Sequence, residues 1–151
     1  MSGITVRIED PRNPAAVKLL QSSHSLMQTL FPDDSCHYLS IEELCDASVS
    51  FFVAWQGSTA AGCGALAVKD GYGEVKSMFT ADSSRGQGIA DLIMDRIEQS
   101  ARADGLPLLR LETGDTLGAA HRLYQRHGFE FRGPFGDYSE HPQSMFMEKS
   151  L

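Results

Sequence analysis

Ile4, Val6 and Ile8 alternate with Thr5, Arg7 and Glu9, and this period of two predicts a half-buried first strand. Pro11, Asn13 and Pro14 end it. Asn13 is placed to cap a helix with Pro14 at its first position, where a missing N–H costs nothing. Val17, Leu20, His24, Met27 and Leu30 then recur at helical spacing to about Phe31. Pro32-Asp33-Asp34-Ser35 reads as a turn, and Ser40 with Glu43 forms a capping-box pattern that opens a short helix to Asp46. Residues 49–55 and 60–69 are rich in branched and aromatic side chains and read as strands joined at Gly57. Gly71-Tyr72-Gly73 reads as a second hairpin turn, followed by a strand over residues 74–80 and a loop over 81–88. The period then changes. Ile89, Leu92, Ile93, Ile97 and Ala101 fall on one helical face, Asp91, Asp95, Glu98 and Arg102 on the other, and Gly105 is placed to stop the helix. A strand over 108–113, a helix from about 116 to 127 ended by Gly128, and short strands at 129–131 and 145–149 complete the chain.

The resulting order, β-α-α-β-β-β-α-β-α-β-β, is a mixed α/β layout with one hydrophobic sheet and helices on its faces. The length, 151 residues, suits a single domain over 1–151. Apolar residues at 42% and charged residues at 22% match the soluble globular norm and argue against disorder or a fibrous repeat. The net charge of −7, with Lys and Arg scattered, argues against nucleic acid as a partner, since binding phosphates needs a cationic face. Residues 47–68 carry no charge and are long enough to span a bilayer. Gln56-Gly57-Ser58-Thr59 interrupts them as a turn, so they read as a buried hairpin and not as a membrane span. Residues 1–13 carry charges and lack the apolar core of a signal peptide, so the expectation is a cytoplasmic chain. Cys36, Cys45 and Cys63 form no CxxC pair and read as small buried apolar residues. The histidines show no HExxH spacing, so no metal is expected.

The segment that carries chemistry is Arg85-Gly86-Gln87-Gly88-Ile89-Ala90, between a strand and a strongly amphipathic helix. Glycines let backbone approach a ligand closely, and the first turn of a helix offers unpaired N–H groups with the positive end of the macrodipole. Together they suit a phosphate, and Ser83 and Ser84 are placed to add hydroxyls. A plain glycine-bearing turn has the same form, so the loop alone leaves both readings open. Two other phosphate loops are excluded. No glycine precedes a lysine as in a Walker A loop, and Asp91 stands where the dinucleotide fingerprint has its third glycine.

Arg85-x-x-Gly88-x-Ala90 resembles the Q/R-x-x-G-x-G/A signature of the GCN5-related N-acetyltransferase (GNAT) superfamily. The strand 74–80 precedes it as the family's fourth strand does, and residues 120–129 resemble the family's A-x-x-L-Y-x-x-x-G-F motif. The likeness runs over nearly the whole chain. Residues 61–66, 111–114 and 134–138 bring it closer to the YsnE-type bacterial acetyltransferases. The resemblance implies a mostly antiparallel central sheet of six to seven strands flanked by about four helices. It implies acetyl-CoA as cosubstrate, with its pyrophosphate on the backbone of residues 85–90.

Further roles follow from the same resemblance. Met78, Phe79 and Thr80 would offer main-chain groups to the pantetheine arm, the Met78 N–H polarising the thioester carbonyl. Tyr124 would protonate the leaving thiolate. Glu74 matches a general base found in some members, although a glutamate at a strand start is often only solvated. Glu112 is the reserve base, and His24 and His37 are weaker candidates. Residues 31–38 and 135–143 would shape the acceptor site, Asp137, Tyr138, Glu140 and His141 either binding a polar acceptor or forming a solvated loop. One departure stands out: Leu117 occupies a position where many members carry Asn. The function expected is transfer of an acetyl group to an amine of a small molecule or peptide, by direct attack and from a homodimer. The alternatives are CoA binding without turnover, a non-amine acceptor, or a larger acyl group.

Overall fold

The structure, a computed structural model, describes residues 3–31 and 39–151. The expectations that fall on residues 32–38, among them Cys36 and His37 and the turn at Pro32, lie outside the described residues. The order is β1 (Ile4–Ile8), α1 (Pro14–Leu30), α2 (Ile41–Leu44), β2 (Val49–Gln56), β3 (Thr59–Lys69), β4 (Tyr72–Thr80), α3 (Ile89–Ala103), β5 (Leu108–Gly114), α4 (Gly118–Arg126), β6 (Glu130–Arg132) and β7 (Ser144–Ser150). The strands form one seven-stranded sheet ordered β1-β2-β3-β4-β5-β7-β6. All neighbours are antiparallel except β4 and β5, which run parallel because α3 carries the chain from one to the other.

Local chemistry accounts for the starts of the helices. The Asn13 side chain accepts from the Ala15 N–H at 3.0 Å, with Pro14 next. Ser40 and Glu43 close the capping box in both directions. The hairpin turn before β4 falls at Asp70-Gly71 (Gly71 φ 85°), so Tyr72 and Gly73 belong to the strand and not to the turn.

The two faces of the sheet hold separate apolar clusters. On one, α3 and α4 pack Ile89, Ile93, Ile97, Leu123 and Tyr124 against Phe52, Leu66, Val75, Leu109 and Leu111. Each large side chain buried in this way contributes ~1.5–3 kcal/mol. On the other, α1 packs Ala16, Leu19 and Leu20 against Phe51, Val53, Cys63 and Ala65. The expected stripe of α1 is thus shifted: Leu30 is exposed and the buried face is Ala16-Leu19-Leu20. Cys63 is buried, which pushes its thiol up to about 12. Cys45 departs from expectation; it is half-buried, and the Arg12 guanidinium donates to its sulfur at 3.0 Å. No helix of the described residues is long and apolar enough to cross a membrane. The uncharged stretch 47–68 forms the β2–β3 hairpin, as the turn at residues 56–59 predicts.

Candidate active site

β4 and β5 pair only at Gly73–Leu109, Glu74–Arg110 and Val75–Leu111. Both strands continue past these pairs, β4 to Thr80 and β5 to Gly114, without each other. The cause lies in β4. Ala65 faces Lys76 and Cys63 faces Phe79, so three steps on β4 match two on β3. The extra residue is a bulge, which bends its strand and leaves a gap beside β5. Ser77 takes a left-handed φ of 59° there. The bulge turns Met78 toward the α3 face and Phe79 toward the α1 face. Gly64 makes room: a Cβ there would lie 2.5 Å from the Met78 sulfur.

Beyond Thr80 the chain makes a 3-10 turn at Asp82–Ser84 and enters the glycine loop. Gly88 is the N-cap of α3 at φ 77° and provides no side-chain cap, so the first N–H groups of the helix remain to be satisfied from outside. A Cβ at Gly86 or Gly88 would meet nothing within 4 Å. Backbone conformation therefore demands these glycines, and the space in front of the loop is open. Arg85 is exposed and pairs with Asp82 at 3.2 Å, while Gln87 accepts a hydrogen bond from Gln56 at 3.1 Å. Ile89 is buried and anchors the helix start, Ala90 is half-buried, Ser83 is exposed and Ser84 is buried. An open loop at a helix N-terminus fits a pyrophosphate. Next to it, the backbone of β4 beyond Val75 is not paired with β5.

Glu74 and Lys76 of β4, Arg110 and Glu112 of β5, and Ser144, Phe146 and Glu148 of β7 occupy alternate positions and share the sheet face opposite α3 and α4. Loop 133–143 covers this part of the face. Its Phe135 packs edge-on against Tyr72 and Phe146, with centroids 5.7 and 5.8 Å apart. Tyr138 donates its hydroxyl proton to Glu74 Oε2 at 2.6 Å and accepts from Lys76 Nζ at 2.8 Å. Burial, then the Glu74 charge, pushes the Tyr138 phenol up. Arg110 lies over the Tyr72 ring at 4.7 Å and pairs with Glu148 at 2.7 Å. A cavity of about 360 Å³ opens here, bordered by Lys69, Glu74, Lys76, Asp137 and Tyr138 among others. A second, of about 400 Å³, is bordered by Arg132, Glu140, His141 and Ser144 among others.

Tyr124 comes from the opposite face. It is 6% exposed in the core under α4, edge-on to Phe129 at 5.8 Å. Burial pushes its phenol up, and the charge of Glu112 adds to the shift. Glu112 follows the last β4–β5 pair directly, so the gap is the place where the two faces meet. Burial lifts the Glu112 carboxyl to about 7; Glu74 adds to this, and Ser144, Lys76 and His141 oppose it.

Met78, Phe79 and Thr80 thus lie on the stretch of β4 that β5 does not pair, the loop 85–90 follows that stretch, Tyr124 lies in the cluster on the α4 face, and Glu74 sits on the opposite face in the section still paired with β5. His24 stands apart on α1, half-buried, with its imidazole pKa lowered by burial, and borders neither cavity. Leu117 caps α4 without a side-chain bond. Sequence reasoning missed Lys76, and it missed the bond from Tyr138 to Glu74. A charged side chain alternating with Glu74 along one strand was the signal available for Lys76. Nothing in the sequence signals the bond between residues 74 and 138. No group of three or more His, Cys, Asp or Glu side chains able to hold a metal occurs among the described residues.

Comparison with known proteins agrees with this geometry. The family model for the acetyltransferase (GNAT) family matches residues 10–129. The IAA acetyltransferase of Azospirillum brasilense is 41% identical over the full length of both chains. The uncharacterized N-acetyltransferase YsnE of Bacillus subtilis (strain 168) is 37% identical, over 97% of this chain and 99% of its own. A Klebsiella pneumoniae protein assigned to the acyl-CoA N-acyltransferases superposes with a TM-score of 0.84 at 29% identity, over 100% of this chain and 99% of that one. The PaiA N-acetyltransferase of Thermoplasma acidophilum, crystallised with coenzyme A, shares the fold with a TM-score of 0.78 at 15% identity, over 98% and 99%. With the family match over most of its length and full-length relatives above 30% identity, the chain belongs to the GNAT family of acetyltransferases.

Proposed function

We propose that this chain transfers an acetyl group from acetyl-CoA to an amine of a small molecule or peptide, by direct attack of the amine on the thioester. The observation that carries the reading is the continuity of the open glycine loop at α3 with the gap between β4 and β5. In this reading the backbone of residues 85–90 holds the pyrophosphate, and Met78 to Thr80 align the pantetheine arm. The Met78 N–H supports the thioester oxygen as negative charge develops there. Tyr124 gives its proton to the departing sulfur. A carboxylate on the cavity side, Glu74 or Glu112, takes the proton that the amine loses. The coenzyme A in the Thermoplasma structure supports the choice of cosubstrate.

Calorimetric titration with acetyl-CoA and CoA tests the reading. Gly88→Val puts a branched side chain at φ 77° in front of the loop. The wild type is expected to bind, and the variant to lose about tenfold in affinity, ~1.4 kcal/mol. No binding by the wild type overturns the reading. Binding without turnover across a panel of amines and alcohols, with IAA added because the Azospirillum relative is named for it, would favour a CoA-binding protein instead. The homodimer is part of this proposal too, and sedimentation as a monomer at micromolar concentration overturns that part.

A further inference from the structure

Two carboxylates face the cavity side of the gap, and they differ in access. Glu74 is 5% exposed. Its Oε2 receives the Tyr138 hydroxyl at 2.6 Å and lies 3.6 Å from the Lys76 ammonium. Glu74 also belongs to the section of β4 still paired with β5. Glu112 borders neither cavity, whereas Glu74 borders the one of about 360 Å³, but Glu112 is one residue beyond the paired section, on the stretch of β5 that β4 leaves open, and is half-buried rather than sealed. It is also near enough to Tyr124 to influence its phenol, although Tyr124 reaches the gap from the other side of the sheet.

We propose that Glu112, and not Glu74, accepts the proton released by the attacking amine, and that Glu74 positions the acceptor loop by holding Tyr138. This rests on the acetyl-CoA reading above. A thioester carbon lodged in the gap then has its base on the β5 side and its acid on the α4 side. The amine lone pair forms the C–N bond and the C–S bond breaks, the sulfur leaving with the bonding pair. Glu112 takes the proton from nitrogen, and Tyr124 supplies one to sulfur. Transfer of the Glu112 proton to the tyrosinate restores both groups, so the net change is one proton from nitrogen to sulfur.

The surroundings of Glu112 suit the task. Lys76 and Glu74 face it from β4, Tyr138 and His141 from loop 133–143, Ser144 from β7 and Tyr124 from α4. Burial outweighs the cationic neighbours and lifts its carboxyl to about 7. A base must be deprotonated to act, so kcat is expected to rise with pH through about 7 and level off above it. Protonation of Glu112 also removes the charge that raises the Tyr124 phenol. Accepting the amine proton therefore eases release of the tyrosine proton.

The test uses Glu112→Gln and Glu74→Gln in the full chain, with benzylamine and n-butylamine as amine probes and acetyl-CoA as donor. Glu112→Gln is expected to cost about 10²-fold in kcat, to abolish the acidic limb of the pH profile and to leave acetyl-CoA affinity within a few-fold. Glu74→Gln is expected to raise the KM for the amine and to keep the limb. A readout independent of the acceptor is ¹³C NMR titration of glutamate-labelled protein. One carboxyl should titrate near 7 in the wild type, persist at lower pH in Glu74→Gln, where the Glu74 charge no longer raises it, and be missing from Glu112→Gln. An intact limb in Glu112→Gln, its loss in Glu74→Gln alone, or no glutamate titrating near 7 each overturns the proposal. Failure of the wild type to bind acetyl-CoA overturns the underlying reading instead, and calorimetry reports that separately.

Discussion

Tyr124, the proposed acid, owes its place to a few neighbouring side chains. It follows Ala120 and Leu123 on the inner face of α4, and all three pack into the α3-side cluster. The imidazole of His121 donates to the Gly114 carbonyl at 2.7 Å and pins the helix to the end of β5. The phenol is thus held beside the gap by packing on one side and a hydrogen bond on the other. Burial raises its pKa, so the phenol carries its proton at neutral pH. Tyr124→Phe keeps the packing and removes the proton. It is expected to lower kcat about 10²-fold and to change the KM for acetyl-CoA by less than about threefold. Steady-state kinetics decide, and an unchanged kcat removes the acid role. Tyr124 was legible in the sequence because its motif is local. Glu74 was legible as a residue but not as an environment, because its partner Tyr138 lies 64 positions further along.

At the level of the element, β4 determines the site through its bulge. Ser77 pays for that bend with a left-handed backbone, and its buried hydroxyl finds no hydrogen-bond partner among the described residues. Ser77→Gly is expected to raise stability by about 1 kcal/mol in urea denaturation, because glycine takes this φ freely and leaves no buried hydroxyl. A loss of stability would mean that the serine supports the bulge. This part of the fold was not legible, since a serine at positive φ has no sequence signature. The caps were legible, because Asn13-Pro14 and Ser40-x-x-Glu43 act within a few residues. Between these extremes, the start of β4 was placed two residues late, at Glu74 instead of Tyr72, because Gly73 was read as a turn glycine. In fact Gly73 is packed flat in the strand, where a Cβ would lie 2.7 Å from the Leu66 side chain. The exposed side of α1 was misjudged because apolar residues such as Leu30 continue its pattern past the sheet.

Taken whole, the molecule consists of two blocks of antiparallel sheet. Strands β1 to β4 with α1 to α3 form one, and β5, β7, β6 and α4 form the other. Within the sheet they meet along three residue pairs of a parallel ladder; beside it they share the α3–α4 apolar cluster and the ion pairs between Lys149 and Glu98 and between Arg126 and Asp91. A ligand in the gap would touch both blocks, α3 and the end of β4 on one side and β5 on the other. Acetyl-CoA is therefore expected to slow amide exchange in residues 108–114 and 144–150 as well as in the loop 85–90 proposed to bind it. Hydrogen-exchange mass spectrometry reads this directly, and slowing confined to residues 85–90 would show that the blocks are not coupled through the gap. The short parallel ladder has a mechanical meaning. With the gap empty, the sheet is continuous across its centre for only three residues, and strain applied to one block reaches the other through that bridge and through the side chains packed beneath and above it. With a molecule wedged between β4 and β5, the load would be carried along the whole length of both strands, and the cosubstrate would act as the missing rung of the sheet.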